Sequence, residues 1–276
     1  LRLNICNRQM PNNNSSHSIE FNSQRNCSKT SILNPLECLF KTTNTAILLL
    51  HTQNAWPKLW ERLWNQAVYR VCTDGGANIL EDYVKNRGIK LPHLICGDFD
   101  SVTDEALEFF KTREVVVQET PDQDYTDMSK ALKIMADKIN SKRIFVDHLL
   151  VLGGLSGRMD HTLSSFNSLL RFRWICDCPI FMNDGNNLVT VLTEGNTEIN
   201  LANCSSYITR IAGFIPFCQK PTIVTSHGFK WDLTDAPLQF GGCISSSNEI
   251  LGDAVNLQTN APLIFTLELS PNAIQQ

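Results

Sequence analysis

The sequence lacks any apolar run near the roughly 20 residues that a membrane-spanning helix requires. Its longest candidate, Ala46 to Leu50, has the length of a buried strand. The chain also lacks a clustered basic face, and its formal net charge of -4 gives no electrostatic reason to expect nucleic-acid binding. These absences argue against a membrane-spanning protein and a nucleic-acid-binding protein.

Several common catalytic signatures are missing as well. There is no Walker A loop, which excludes a P-loop kinase, and the paired glycines do not form a G-x-G-x-x-G motif. No Ser-His-Asp or Cys-His arrangement stands out, and the six histidines are scattered without metal-ligand spacing. The chemistry therefore has to come from other residues.

The ten cysteines are also scattered. Cys176 and Cys178 form the only close pair, and C-x-C without a second pair is a weak metal signal. Cys72 and Cys96 lie in apolar, strand-like runs, where a thiol behaves as a small hydrophobe. The pattern predicts a reduced, cytoplasmic protein with free thiols.

Residues 1–44 differ from the rest of the chain. They are rich in Asn and Ser and show no hydrophobic periodicity, so we expect them to remain without regular structure. Basic residues outnumber acidic ones there, as in a transit peptide, although no clean amphipathic helix is visible. Organelle targeting through this tail is thus the alternative to a cytoplasmic location.

From Ala46 onward, short apolar runs alternate with helical patterns. The clearest helix begins at Asp127, where apolar residues follow the i, i+3, i+4, i+7 spacing, and another begins near Asp160. This alternation predicts a mostly parallel sheet covered on both faces, over residues 45–178. After about Pro179 helical periodicity disappears, so residues 179–276 are predicted to form a smaller all-β domain.

Four polar segments each follow a predicted strand. Ligands of open parallel sheets bind at the carboxyl ends of the strands, so these segments can converge. In the first, Gly97-Asp98-Phe99-Asp100-Ser101, two carboxylates lie two residues apart and would project the same way from extended backbone. Such a pair favours Mg²⁺, which takes hard oxygen ligands. The alternative is a solvated turn with Ser101 as a helix cap.

The second segment is Pro121-Asp122-Gln123-Asp124-Tyr125-Thr126-Asp127. Its acidic residues can serve the dipole of the following helix, with Asp124 or Thr126 as the N-cap. That role does not need all three carboxylates, so Asp127 is a candidate metal ligand. Gln123 is placed to hydrogen-bond a phosphate or a water molecule.

The third segment, Gly153-Gly154-Leu155-Ser156-Gly157-Arg158-Met159-Asp160-His161, is a glycine-rich turn before a helix. Backbone N–H groups around Gly154 could approach phosphate oxygens, and Arg158 could hold a phosphate through two hydrogen bonds. Asp160 could bind metal or accept a proton. His161 is assigned an orienting or structural role rather than that of the base.

The fourth segment is Asp74-Gly75-Gly76-Ala77-Asn78. It could cradle phosphate or ribose, with Asp74 as a hydrogen-bond acceptor. The alternative is that Gly75 and Gly76 only allow a tight turn between strand and helix.

In this order, D-G-G-A-N, G-D-F-D-S, T-P-D-Q-D-Y-T-D and G-G-L-S-G-R-M-D-H together resemble the thiamin pyrophosphokinase family. The resemblance covers roughly residues 46–270. It continues into Ser226-His227-Gly228-Phe229-Lys230-Trp231-Asp232-Leu233, similar to the family's G-L-K-W-N-L region, and into Ser245-Ser246-Ser247-Asn248, similar to its S-x-S-N turn.

The resemblance implies an α/β catalytic domain followed by a β-sandwich, in a homodimer with active sites between subunits. It implies transfer of the pyrophosphoryl group of ATP to thiamin with release of AMP. Mg²⁺ would be held by Asp98, Asp100 and Asp127. The phosphate and hydroxyl environment would be completed by Gln123, Arg158 and Asp160, and thiamin would be contacted by Trp231, Ser247 and Asn248.

Departures from the family pattern occur at three places: the N-terminal 44 residues, the segment His51-Thr52-Gln53-Asn54, and Asp232, where Asn is common. Asp232 adds a negative charge that either favours a cationic substrate or faces solvent. Either Asp100 or Asp160 could accept the proton of the substrate hydroxyl. Two other functions remain open from the residues: a D-x-D phosphatase with Asp98 as nucleophile, and a nucleotide- or thiamin-binding sensor without catalysis.

Overall fold

A computed structural model describes residues 30–40, 44–52, 55–202 and 205–275. The strands are β1 (Ser31–Leu33), β2 (Thr45–Leu49), β3 (Tyr69–Thr73), β4 (Leu94–Gly97), β5 (Val116–Glu119), β6 (His148–Leu152), β7 (Ile180–Asn183), β8 (Asn187–Leu192), β9 (Gly195–Asn200), β10 (Ile208–Pro216), β11 (Thr222–His227), β12 (Ala236–Leu238), β13 (Ser245–Glu249), β14 (Ala254–Thr259) and β15 (Leu263–Leu269). The helices are α1 (Glu37–Phe40), α2 (Lys58–Gln66), α3 (Gly76–Arg87), α4 (Asp104–Lys111), α5 (Asp127–Asn140), α6 (Met159–Ile175) and α7 (Pro271–Gln275).

A ten-stranded sheet runs through the molecule in the order β13-β10-β15-β8-β7-β6-β2-β3-β4-β5. Its strands from β7 to β5 are parallel, and all residues of β2 and β6 are buried. Central strands covered on both faces have apolar sequences without alternation, as these do. The predicted α/β fold class with a mostly parallel part is confirmed.

The direction of chain progression reverses between β2 and β6. Strands β3, β4 and β5 lie on one side of β2, and β6 and β7 lie on the other. In open α/β sheets a reversal of this kind opens a crevice at the carboxyl ends of the strands. This edge of the sheet is where the site residues are found.

Helix α5 begins at Asp127, as the periodicity predicted. The hydroxyl of Thr126 accepts a hydrogen bond from the N–H of Ser129 and caps the helix, while Met128, Leu132 and Met135 are buried. The cap satisfies an N–H that has no partner within the helix. The start of α5, and with it the carboxylate of Asp127, is thereby fixed.

The second half of the chain forms a sandwich. Strands β8, β15, β10 and β13 continue the large sheet in antiparallel pairing. A five-stranded sheet in the order β1-β9-β14-β11-β12 shares a core with them, in which Phe214 and Phe265 are clustered with Val224 and Leu257. The β-sandwich expected from the resemblance is confirmed, and it shares its larger sheet with the α/β part.

The N-terminal segment differs from the expectation for residues 31–40. Strand β1 pairs in parallel with β9, and Leu36, Cys38 and Leu39 are almost completely buried. Burial of these three side chains and the hydrogen bonds of β1 offset the entropy of ordering the segment. The rest of the predicted unstructured tail, residues 1–29 and 41–43, lies outside the described residues.

No helix within the described ranges combines the length and the apolar composition that are needed to cross a membrane.

Candidate active site

Three carboxylates meet at the carboxyl edge of the large sheet. Asp74 follows β3, Asp98 follows β4, and Asp127 is the first residue of α5. One ligand oxygen from each lies within 4.8 Å of those of the others. We call Asp74, Asp98 and Asp127 the acidic triad. Strand ends and a capped helix start carry them, so their grouping is a property of the fold.

Asp74 is held in an unusual backbone conformation, with φ at 22°, a sign that non-glycine residues adopt rarely. It is buried, and one carboxylate oxygen accepts a hydrogen bond from the N–H of Val102. Gly97 makes this approach of β4 possible, because a Cβ there would lie 2.7 Å from the Cβ of Asp74. The motif glycine before Asp98 is therefore needed to seat Asp74.

Asp98 is tied to the loop that precedes α5. The Gln123 side-chain amide donates a hydrogen bond of 2.9 Å to Asp98 Oδ2, whereas Asp98 Oδ1 is buried and has no hydrogen-bond partner among the described residues. A buried carboxylate oxygen without a partner is costly unless a cation or a proton binds it. Three carboxylate oxygens in this arrangement suit Mg²⁺, which prefers hard oxygen ligands.

The pKa values of two triad members are shifted in opposite directions. Burial raises the pKa of Asp74, and the nearby carboxylates of Asp127 and Asp100 raise it further, against a lowering by Ser101 and the N–H of Val102. For Asp98, burial raises the pKa, but the hydrogen bonds from Gln123 and from backbone N–H groups, together with the charge of Lys130, outweigh it and leave the pKa lowered. Asp98 is thus stabilised as an anion by its surroundings, and Asp74 is not.

Asp100 lies outside this group. Phe99 has a φ of 62°, so the backbone after Asp98 is not extended, and the geometry from which Asp98 and Asp100 were expected to project to the same side is not present. The Asp100 carboxylate is exposed and accepts a hydrogen bond of 2.7 Å from the hydroxyl of Ser101. Its charge nevertheless contributes to the raised pKa of Asp74.

Lys130 was not predicted to belong to the site. Its ammonium nitrogen lies 2.7 Å from Asp127 Oδ1 and 4.0 Å from Asp98 Oδ2, and its side chain is buried. The sequence contained one hint of this role. A lysine in the first turn of a helix is unfavourable, because its charge is repelled by the positive end of the helix dipole. Only the folded chain shows which carboxylates compensate it.

The two glycine segments border the same edge. In the segment after β6, Gly153, Gly154 and Gly157 have positive φ, and a Cβ on Gly154 would lie 2.9 Å from Leu50 Cδ1. In the segment after β3, Gly75 is the N-cap of α3, and a Cβ on Gly76 would lie 3.3 Å from the backbone nitrogen of His51. Glycine allows the close approach to the Leu50 side chain at Gly154 and to the His51 backbone at Gly76.

Arg158 and Asp160 bind each other in this structure. The guanidinium donates to both carboxylate oxygens, at 3.1 Å and 2.5 Å, and both side chains are largely exposed. The hydrogen bonds and charge of Arg158 lower the pKa of Asp160. Neither group is part of the acidic triad, and each is accessible to a ligand that enters from solvent.

A second group of predicted site residues surrounds Trp231, a residue that is 56% exposed. Asn248 is buried in β13, where its side-chain oxygen accepts a hydrogen bond from the N–H of Trp231 and its amide donates to the Trp231 carbonyl. Asn248 was predicted to contact thiamin. In this structure both polar atoms of its amide instead hydrogen-bond the backbone of Trp231. The ammonium of Lys230 lies 5.0 Å from the centre of the Trp231 ring.

Ser247 and Asp232 are the chain neighbours of Asn248 and Trp231. Ser247 has a φ of 56° and lies where the pairing of β10 and β13 is irregular, so its exposed side chain leaves the regular direction of the strand. The carboxylate of Asp232 accepts hydrogen bonds from the N–H groups of Gly228 and Phe229. The charge of Asp232 is therefore used in closing the turn that carries Trp231.

Both the sequence and the fold of the chain are similar to those of known proteins. Residues 60–182 match a family model described as thiamin pyrophosphokinase, catalytic domain, and residues 198–264 match one described as thiamin pyrophosphokinase, vitamin B1 binding domain. Thiamin pyrophosphokinase 1 of Caenorhabditis elegans is 40% identical over 211 residues, which are 76% of this chain and 82% of that protein. Thiamine pyrophosphokinase 1 of Arabidopsis thaliana is 28% identical over 251 residues, 87% of this chain and 92% of that protein.

Solved structures with a similar fold include thiamin pyrophosphokinase from Candida albicans, with a TM-score of 0.76 and 22% identity over 87% of this chain and 93% of that chain. Yeast thiamin pyrophosphokinase has a TM-score of 0.78 and 21% identity over 89% of this chain and 93% of that chain. At these identities the structural likeness supports the fold alone.

The opposite pKa shifts predict opposite effects of removing two charges. Because the pKa of Asp74 is raised in the folded protein, ionised Asp74 lowers the folding stability at any pH well above the unfolded-state pKa of about 3.9. Because the pKa of Asp98 is lowered, ionised Asp98 raises the folding stability at the same pH, and this stabilisation is lost as the pH falls through the lowered pKa. In EDTA at pH 7.5, Asp74→Asn should raise the melting temperature and Asp98→Asn should lower it, by about 2–4 °C for each kcal/mol. Differential scanning calorimetry measures both, and shifts of the same sign would contradict the assignment.

The hydrogen bonds between the Asn248 side chain and the Trp231 backbone predict a loss of stability when Asn248 is replaced. Asn248→Ala removes two partly buried hydrogen bonds to the backbone of Trp231 and the bond that Asn248 Oδ1 accepts from the N–H of Glu249, and should lower the free energy of unfolding by about 1–3 kcal/mol. Ser246→Ala, at an exposed position in the same strand, is the matched control and should change it by less than about 0.5 kcal/mol. Urea unfolding followed by circular dichroism compares the two variants. Equal free energies of unfolding would show that the Asn248 hydrogen bonds do not stabilise the Trp231 backbone.

Proposed function

The chain belongs to the thiamin pyrophosphokinase family, and we infer that it transfers the pyrophosphoryl group of ATP to the hydroxyl group of thiamin, giving thiamin diphosphate and AMP. The observation that carries this inference is the match of both family models, in chain order, to a molecule that gathers three carboxylates at the carboxyl edge of its parallel strands. Neither a D-x-D phosphatase nor a silent binding protein is favoured, since the curated relatives are named as thiamin pyrophosphokinases.

We propose that Mg²⁺ is held by Asp74, Asp98 and Asp127, with Asp100 beside them. The donor set supports this assignment, because it consists of carboxylate oxygens, one of which, Asp98 Oδ1, is buried and receives no hydrogen bond within the described part of the chain. When bound, Mg²⁺ supplies positive charge that neutralises the phosphate oxygens of the transferred group. Gln123 orients Asp98 through its hydrogen bond to Oδ2.

In the proposed reaction the hydroxyl oxygen of thiamin bonds to the β-phosphorus of ATP, the bond from that phosphorus to the oxygen of the α-phosphate breaks, and AMP leaves with the electron pair. The backbone around Asp74, Gly75, Gly76 and Gly154 is proposed to face the phosphates, since the segments after β3 and β6 lie at this edge and Gly75 caps the start of α3. Positioning and neutralisation of charge account for most of the catalysis in such transfers.

Arg158 and Asp160 take linked roles in this proposal. Arg158 exchanges the carboxylate of Asp160 for a phosphate of the nucleotide, which a guanidinium can hold through two hydrogen bonds. The exchange releases Asp160 from Arg158, whose hydrogen bonds are the largest cause of the lowered pKa of Asp160. The hydroxyl proton then passes to Asp160 or to Asp100.

For thiamin, we propose Trp231 as the stacking surface and Ser247 as a polar contact, with Asn248 acting through the backbone of Trp231. An exposed indole attracts the thiazolium cation and stacks on the flat aminopyrimidine ring. Residues 45–178 would then serve as the nucleotide domain and residues 179–276 as the thiamin domain. The two family models, which end at residue 182 and begin at residue 198, support a division near there.

A homodimer with shared active sites is proposed as the working state. Its support in the structure is the exposed apolar surface of α6, where Met159 and Leu163 lie one turn apart and are 72% and 60% exposed. We propose a cytoplasmic location, consistent with the free thiols of the described cysteines. Organelle targeting would depend on residues 1–29, which lie outside the described residues.

The product assay tests the proposed reaction. Purified protein with Mg²⁺, ATP and thiamin should form AMP and thiamin diphosphate in equal amounts, because the β- and γ-phosphates move together. Chromatography of the products with a chelated sample as control measures this. Formation of ADP and thiamin monophosphate, or of inorganic phosphate alone, would overturn the assignment.

Mixed dimers test the shared site. Trp231→Ala and Asp98→Asn each remove one half of it, so each variant alone should lose most activity. After subunit exchange, one of the two sites in a mixed dimer keeps both natural residues, and activity should return to as much as about a quarter of the wild-type value. Native mass spectrometry establishes the exchange. Proven exchange without any recovery would place both residues in a site within one chain.

A further inference from the structure

The ammonium group of Lys130 is buried next to the acidic triad. Its side chain is 8% exposed, and the nitrogen lies 2.7 Å from Asp127 Oδ1 and 4.0 Å from Asp98 Oδ2. Lysine is almost never buried to this degree unless it is paired. The reason for its burial therefore lies with these carboxylates.

The same nitrogen also fixes the loop before α5. It donates hydrogen bonds to the carbonyl oxygens of Thr120, at 2.8 Å, and of Asp122, at 3.2 Å. The next residue, Gln123, donates to Asp98. Lys130 thus connects two triad members and the loop whose amide holds one of them, and its donors are used within the site.

The position is unfavourable for the helix itself. Lys130 lies in the first turn of α5, where its N–H donates to the carbonyl of the cap residue Thr126. A cation there opposes the positive end of the helix dipole. Helix stability does not explain the residue, whereas the charge of the triad does, since three close carboxylates repel one another and each gains from a nearby cation.

We propose that Lys130 is a positioning residue that keeps the triad assembled before metal binds and, by its fixed charge, weakens the binding of a free divalent cation. This inference rests on the proposed metal site. With Lys130 the triad carries a formal charge of about -2 rather than -3, so one Mg²⁺ brings it to neutrality. A neutral site accepts the polyanionic nucleotide without repulsion, and metal binds well only when the nucleotide supplies further ligands.

The experiment measures Mn²⁺ binding without nucleotide, by electron paramagnetic resonance of the free ion, at pH 7.5 and constant ionic strength. Lys130→Met removes the charge, and its dissociation constant for Mn²⁺ should be at least about tenfold lower than that of the wild type, because a unit charge within about 5 Å of the ion no longer repels it. Lys130→Gln also removes the charge but keeps hydrogen-bond donors for the loop, and should tighten binding as well. Lys130→Arg keeps the charge and should stay within about threefold of the wild type.

Circular dichroism shows which variants are folded, and the Gln variant carries the test if the Met variant is not. Unchanged or weaker Mn²⁺ binding by a folded neutral variant would overturn the role of Lys130 while leaving the metal site in place. Binding by Lys130→Arg as tight as by the neutral variants would overturn it too, because charge would not be the cause. If no form of the protein binds Mn²⁺ with or without nucleotide, the metal site itself is wrong and the inference fails with it.

Discussion

The repulsion among three carboxylates at one edge of the sheet is the constraint on which the rest of the site depends. Two unit charges 4 Å apart interact by about 4 kcal/mol at an effective dielectric constant of 20, which is a large fraction of the stability of a typical domain. The chain meets this cost with the buried ammonium of Lys130 and the amide of Gln123. In the parts of the chain that the structure describes, one carboxylate oxygen of Asp98 still has no hydrogen-bond partner. The proposed divalent cation would balance the negative charge that these two side chains leave uncompensated.

The fold connects the proposed metal site with the proposed thiamin site, which are far apart in sequence. The large sheet runs from the strands that present the triad to β13, which carries Asn248. Asn248 holds Trp231, which lies in a turn after β11 of the smaller sheet. The turn is closed from its other side by the carboxylate of Asp232. Rigid strands and partly buried hydrogen bonds thus set the position of an exposed aromatic ring, which suits the proposed role of Trp231 as a preorganised binding surface.

Much of this could be predicted from the sequence, and the failures have identifiable causes. The start of α5 at Asp127 followed from periodicity and a cap, which are local signals. The direction of the Asp100 side chain did not, because the left-handed backbone of Phe99 ends the extended geometry on which the argument rested. The places of Asp74 and Lys130 in the acidic site depend on the pairing of β3 with β4 and the packing of α5 over the sheet. The ordered segment that contains Leu36, Cys38 and Leu39 was not predicted, because three buried side chains do not form a recognisable hydrophobic periodicity. The roles of Asp100, Arg158, Asp160 and Ser247 remain predictions.

The central claim is that Asp74, Asp98 and Asp127 together bind the catalytic metal. Crystals grown with Mn²⁺ and a non-hydrolysable ATP analogue test it directly through the anomalous scattering of manganese. The account predicts an anomalous peak within coordination distance, about 2.0–2.4 Å, of a carboxylate oxygen of each of the three residues. A well-occupied peak held by other residues, with the triad carboxylates bound only to protein or to protons, would contradict it.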